Sequence, residues 1–373
     1  MLRLAIRNLF QSRARLVITA GGVALSLLLI LTLDAIFQGV EKQVSAYIDQ
    51  SGADVFVAQE GVRNMHMASS SLPATALGQV EAIPGVGSVT PILYVTNVVS
   101  IGDSRNVAYV IGLPGGAQAG GPARVVAGRE VPGPGQAIID RSIADKAGVA
   151  LGGEVKILGR EFTITGLTTG MVNLVSSVAF ISMEDFRQAR AGSDAVSFLL
   201  VRARDGVQPA DLATRIEAQV SGVTAQPTGD FAAQERRVIR DMSTDLLAIM
   251  NLIGLLIGLA VMALTTYTAS LGRRAEYGVL KALGARNADL RLTVVLQAML
   301  SVALGFTVGL ALTLLLAAVV PLTGVNLLLQ VTASSLLKVG AISLVIAAAS
   351  AVLPVVQIGR LDPAQVFRGG SAR

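Results

Sequence analysis

The chain has 373 residues, of which 52% are hydrophobic and only 15% charged, and its formal net charge is +5. A typical soluble domain carries about 25% charged residues, so much of this surface does not face water, and a mean hydropathy of +0.63 agrees. The absence of cysteine excludes disulfides, thiolate nucleophiles and cysteine-ligated metals. The basic excess lies beside apolar stretches, where it orients membrane spans instead of marking a nucleic-acid partner.

Residues 1–15 place Leu2, Ile6, Leu9 and Phe10 on one helical face and arginines on the other, which suits an amphipathic helix on the inner leaflet. A first span follows at 16–38, uncharged from Leu16 to Leu33. About 20 apolar residues are needed to cross the hydrocarbon layer. A basic start and an apolar core also fit a signal peptide, but cleavage would leave three spans and strand the basic C-terminal tail outside.

The segment 39–245 reads as a soluble α+β domain, in two lobes. Strands are expected at 54–58, 89–101 and 107–113, and the Gly/Pro-rich stretch 113–135 reads as a loop joining the lobes or as a flap. Residues 154–167 alternate apolar and polar around Gly159-Arg160, a hairpin signal. A helix opens at Ser182 and runs to Arg190. Strand, helix and strand at 197–203, 209–220 and 223–227 form a ferredoxin-like β-α-β unit. Residues 230–245 are polar and helix-compatible, and they run straight into a second span at 246–271 as a rigid stalk.

A basic loop occupies 272–291. The charge-free stretch beyond it is too long for one crossing and is broken by Pro321, Gly324 and Asn326, giving a third span at 292–320, a short external loop at 321–336 and a fourth span at 337–358, before a tail at 359–373. Arginines precede the first span, fill the 272–291 loop and follow the fourth span. The positive-inside rule then puts both termini and that loop in the cytoplasm and the large domain outside. The predicted fold class is an α-helical membrane protein with four transmembrane helices plus a large extracytoplasmic α+β domain. Gly21 and Gly22 in span one, Gly254 and Gly258 in span two, and Gly305 and Gly309 in span three offer small faces for close packing. The faces of spans one and two are expected to build a homodimer seam.

The sequence has no G-x-x-x-x-G-K-[ST] loop to hold a nucleotide, no G-x-S-x-G and no H-E-x-x-H. Its single histidine, His66, lies between Met65 and Met67, a cluster that could bind a soft metal or heme iron, although a lone histidine in a polar loop is more often plain surface. Catalytic and cofactor-binding residues are therefore not expected in this chain. The spans carry no ionisable residue near their centres, and Asp34 sits close to the outer end of the first. Ion-coupled carriers usually need such a residue, so energy is expected from elsewhere.

The basic loop reads Arg273-Arg274-Ala275-Glu276-Tyr277-Gly278-Val279-Leu280-Lys281-Ala282-Leu283-Gly284-Ala285. Leu280 and Leu283, flanked by Arg274, Glu276 and Lys281, give an apolar ridge suited to a partner's groove. Gly284 supplies a helix stop. This stretch resembles the R-x-x-E-[IY]-G-[VI]-L-[KR]-A-[LI]-G-A motif of MacB/FtsX-like ABC transporter permeases. Ala5-Ile6-Arg7-Asn8-Leu9 and Asp362-Pro363-Ala364 also match segments near that family's termini. The outer domain, through residues 54–59, Asn64-Met65 and 70–73, resembles the heme-exporter and DevC-type branch. MacB itself carries a fused ATPase domain, which this sequence lacks.

The resemblance implies a permease subunit in a bacterial inner membrane. It would form a homodimer and pair with two copies of a separate ABC ATPase subunit that binds ATP and Mg. Arg274, Glu276, Tyr277, Leu280, Lys281, Leu283 and Gly284 would be the ATPase-coupling residues. The substrate would be hydrophobic or amphiphilic, such as heme, a lipid or glycolipid, or a peptide, moved by mechanotransmission with or without a periplasmic adaptor. Two rivals are an FtsX-like regulator of a cell-wall protein, which transports nothing, and a membrane-anchored receptor or adhesion domain without an ATPase.

Overall fold

The computed structural model describes residues 13–65, 67–171, 176–190, 194–323 and 327–359. Residues 1–12 of the amphipathic helix expected at 1–15, the Asp362-Pro363-Ala364 segment, His66, Gly324 and Asn326 lie outside the described residues. The chain divides into two compact units, one made of residues 1–38, 243–320 and 329–373 and the other of 39–242 and 321–328.

Four helices in the described residues are long and apolar enough to cross a membrane, at Leu16–Val44, Thr228–Gly272, Asn287–Thr323 and Ala333–Gln357. They belong to the elements α1 (Arg13–Val44), α7 (Thr228–Gly272), α9 (Asn287–Val319) and α10 (Ala333–Gly359). All four spans expected from the sequence are present, each inside a longer helix.

Within the membrane unit, α1 is the packing centre. Val23, Leu27, Ile30 and Leu31 repeat at helical spacing and are essentially inaccessible, packed with Met262, Val302 and Ile346. Glycines set how closely the neighbours approach. A Cβ on Gly254 would lie 2.5 Å from Ile30, one on Gly258 2.6 Å from the Ser26 hydroxyl, and one on Gly305 2.8 Å from Val23. Gly22 would meet Val261 at 2.4 Å and Gly309 the Ala24 carbonyl at 3.0 Å, whereas Gly21 has nothing within 4 Å. Five of the six glycines singled out for packing are therefore occupied by contacts inside this chain. The outward faces remain apolar, with Ile249, Leu252, Leu256 and Leu264 of α7 exposed. Asp34 is 3% exposed; its carboxylate accepts from Ser335 and pairs with the Lys338 ammonium at 2.6 Å.

The external unit is built on a sheet with strand order β10-β1-β9-β2-β3-β8-β5-β7-β4. Its first lobe runs β1 (Val55–Gln59), α3 (Thr75–Glu81), β2 (Val86–Ile101), β9 (Phe198–Ala203), α6 (Pro209–Gln219) and β10 (Val223–Pro227). β1 lies between β9 and β10, antiparallel to both, and β9 also pairs β2 antiparallel. This is the β-α-β-β-α-β arrangement, so the expected ferredoxin-like unit is present and complete. Leu72, Val80, Leu212 and Ile216 form the core beneath its helices.

The second lobe is inserted between β2 and β9. β2 serves both lobes, since residues 86–92 pair with β9 and 93–101 with β3 (Ser104–Leu113). The inserted elements are β4 (Val125–Gly128), β5 (Gln136–Asp140), α4 (Arg141–Ala147), β6 (Glu154–Ile157), β7 (Arg160–Thr168), β8 (Ser176–Ser182) and α5 (Met183–Ala189). The hairpin expected around Gly159-Arg160 is β6–β7, with its turn one residue earlier at Leu158-Gly159, φ 51° and 80°. Positive φ at both positions gives the I′ geometry that matches strand twist. The stretch 113–135 is not wholly loop, because β4 pairs with β7. Ser182 caps α5 as expected, its hydroxyl accepting from the Asp185 N–H at 3.0 Å.

A short helix, α2 (Ala46–Gln50), follows α1. The first turns of α7 are fixed to the external sheet. Phe231 stacks on Phe56 at 4.8 Å and meets Phe198 edge-on at 6.0 Å. Glu235 is fully buried and accepts from the Met65 N–H at 2.6 Å. Arg236 pairs with Asp49 at 3.3 Å, and Arg240 pairs with Glu41. The stalk expected at 230–245 is thus the first third of one 45-residue helix, about 70 Å long at 1.5 Å per residue.

Candidate functional site

α7 ends at Gly272, and after Arg273 the chain re-enters a helix, α8 (Arg274–Ala282). Nine residues are too few to hold a helix in isolation, so tertiary contacts must fix it. Tyr277 supplies the anchor. It is 3% exposed and packs against Leu290 and Val294 at the start of α9, with Leu280, Ala285 and Val355 around it. Burial pushes its phenol upward from the ordinary tyrosine value; the nearby Arg273 opposes that shift and Glu276 adds to it.

The C-terminal stop is a Schellman motif. Gly284, at φ +93°, donates to the Lys281 carbonyl at 3.0 Å, and Ala285 donates to the Leu280 carbonyl at 2.9 Å. Leu280 and Ala285 touch the same small cluster, the apolar contact that accompanies this cap. Gly284 therefore ends the helix as the sequence implies.

The opposite face of α8 is open. Glu276 is exposed, Val279 is 43% and Leu283 79% exposed. These three sit at i, i+3 and i+7, one stripe of a helix. The sequence-based ridge of Leu280 and Leu283 divides here: Leu283 faces outward, while Leu280 leans into the Tyr277 cluster and Val279 takes its place. Lys281 is half-buried and is engaged in an interaction. The Arg274 side chain lies outside what is described. Val279 escaped the sequence reading, although its i, i+4 spacing from Leu283 was available as a signal.

The Met65/His66/Met67 cluster differs in character. Met65 is 5% exposed in the external core, Met67 is 69% exposed, and His66 lies outside the described residues. Among the described residues, no group of three or more His, Cys, Asp or Glu could hold a metal ion.

Residues 16–219 match the MacB-like periplasmic core domain, and residues 248–363 match the FtsX-like permease C-terminal family. The chain belongs to the MacB/FtsX-type ABC transporter permeases. An uncharacterized ABC transporter permease of Mycobacterium bovis is 24% identical over 373 residues, covering 99% of this chain and 100% of that one. One from Mycobacterium tuberculosis is 23% identical over 378 residues with the same coverage. Among solved structures, the periplasmic region of MacB from Actinobacillus actinomycetemcomitans covers 50% of this chain and 94% of its own, at 14% identity and a TM-score of 0.39. The extracellular domain of the transporter YknZ from Gram-positive bacteria covers 47% and 99%, at 14% identity and a TM-score of 0.35. The first family match contains span one and the external lobes up to the end of α6, and the second takes in the apolar part of α7, α8, α9 and α10. The chain is thus a membrane permease of this family.

Proposed function

We propose that this permease couples ATP hydrolysis by a separate ABC ATPase subunit to extrusion of a hydrophobic or amphiphilic substrate from a bacterial inner membrane. The Glu276/Val279/Leu283 face of α8 is the docking ridge, and two ATPase copies, carrying ATP and Mg, serve a homodimer of this chain. The termini and the α8 loop face the cytoplasm, as the arginine distribution demands. The observation carrying this reading is a short helix anchored by one buried tyrosine and presenting two exposed aliphatic side chains with a carboxylate. Unsatisfied apolar surface beside a charge is the form of a helix that fills a partner's groove.

Motion at α8 reaches the external lobes through α7. α8 begins one residue after α7 ends, and the other end of α7 is clamped by Phe231 and Glu235. No through-channel is needed for a stroke delivered in this way. Heme, a lipid or glycolipid, and a peptide all fit the substrate description, and a periplasmic adaptor is compatible with it.

The test is co-purification. Tagged permease expressed with its neighbouring ATPase subunit should retain that subunit, and V279D/L283D should lose it at least about tenfold, because a buried unpaired charge costs several kcal/mol at a docked face. Both positions are exposed, so the substitutions spare the fold. Retention of the ATPase by the double variant would overturn the docking assignment.

A further inference from the structure

The external unit contains a cleft of about 540 Å³ lined by Met65 and residues 67–71, by the crossover region of β2 and by the C-terminal end of α5. That volume falls within the range of small-molecule sites. Its lining includes the apolar side chains of Met65, Leu93 and Phe186, with the Tyr94 ring. The lining also includes Arg187 and Arg190, three residues apart in the chain, and no carboxylate lines the cleft among the described residues. The Arg187 Nε is buried without a hydrogen-bond partner, and among the described residues neither guanidinium has an ion pair.

A buried guanidinium N–H without an acceptor is uncommon, because leaving it unmet costs the full desolvation of the group. That cost falls if an anion occupies the cleft, and the fork geometry of arginine suits a carboxylate, which it can bind bidentately. The apolar side chains then take the rest of the molecule. From these features we infer that the cleft binds an acidic amphiphile, with its carboxylate on Arg187 and Arg190 and its apolar body against Met65, Leu93 and Phe186. This deepens the exporter reading by naming the substrate class, and it rests on that reading. Met65, which lines the cleft, also donates its N–H to Glu235 of α7, so one residue links the site to the element proposed to move.

The chain has no tryptophan, which permits a local optical readout. M67W places a single indole on the cleft rim, at a position 69% exposed. In full-length M67W permease in nanodiscs, dansyl-undecanoic acid should show saturable energy transfer from that indole, and its methyl ester should not. Adding R187Q/R190Q should weaken binding of the acid about tenfold or more. R190Q alone, at an exposed position that the fold does not need, should weaken it several-fold. Equal binding of acid and ester, no saturable transfer, or unchanged affinity in both arginine variants would overturn the assignment. No ATPase subunit is present in this measurement. Failure here therefore leaves the permease reading intact, whereas loss of ATPase co-purification strikes the permease reading and leaves the cleft standing.

Discussion

Single residues divide the α8 loop into an anchor, a stop and an exposed apolar face, the one proposed to dock the ATPase. Tyr277 is the anchor, and replacing a buried aromatic by alanine costs about 3–5 kcal/mol. Gly284 is the stop, and its φ of +93° is a conformation in which a Cβ costs about 1–2 kcal/mol. G284A should therefore unwind the end of α8 and lower ATPase retention, while leaving the spans folded; a pull-down against the parent reads this directly. The motif around these residues was legible in the sequence. The orientation of its two leucines was not, because it depends on Leu290 and Val294, which lie seven to fourteen residues downstream. Asp140 gives a separate test in the external unit. It caps α4, accepting from the Ser142 N–H at 2.8 Å, yet its other oxygen is buried without a partner. Burial raises its pKa, and the bonds from Ser142 only partly oppose this. A carboxyl raised in the folded state favours folding while protonated, so its contribution is lost as pH rises through the folded value. D140N keeps an acceptor and removes the charge. It should match the parent in mildly acidic buffer and exceed it in thermal stability at neutral pH, whereas D140A should lose about 1 kcal/mol of capping at both.

At the scale of elements, the helices were easier to read than the strands. Runs such as 246–271 declare themselves by length and lack of charge. β5 and β8 do not, because each is a short apolar run whose parallel partner, β7 or β3 respectively, lies far along the chain. β4 was hidden in a Gly/Pro-rich stretch that propensity assigns to loop. The span glycines show a different limit: small residues predict close approach but not the identity of the neighbour. With α1 as that neighbour, G254V and G258V force a side chain into Ile30 and Ser26, and overpacking of this kind costs about 1–3 kcal/mol. G21A, at a position with open space, should be silent; thermal unfolding in detergent separates the two cases. In the proposed mechanism the continuity of α7 carries the stroke. M242P, at an exposed position, should break the helix at a cost of about 3 kcal/mol or more. It should leave ATPase binding unchanged and abolish the response of ATPase rate to substrate.

As a whole molecule, the chain is proposed to work as a transmission. A helix held in the external sheet by Phe231 and Glu235 passes through an apolar stretch and ends one residue before a short helix with an exposed aliphatic ridge. An FtsX-like regulator would use the same parts, but its ATPase would respond to a protein partner instead of an amphiphile. Both versions require the α8 ridge to meet an ATPase in the cytoplasm. The chain contains no cysteine, so L283C is a unique thiol on that ridge. In intact spheroplasts it should resist a membrane-impermeant maleimide, and in inverted vesicles it should form a crosslink to the co-expressed ATPase subunit. Labelling of L283C from outside intact spheroplasts would contradict the account.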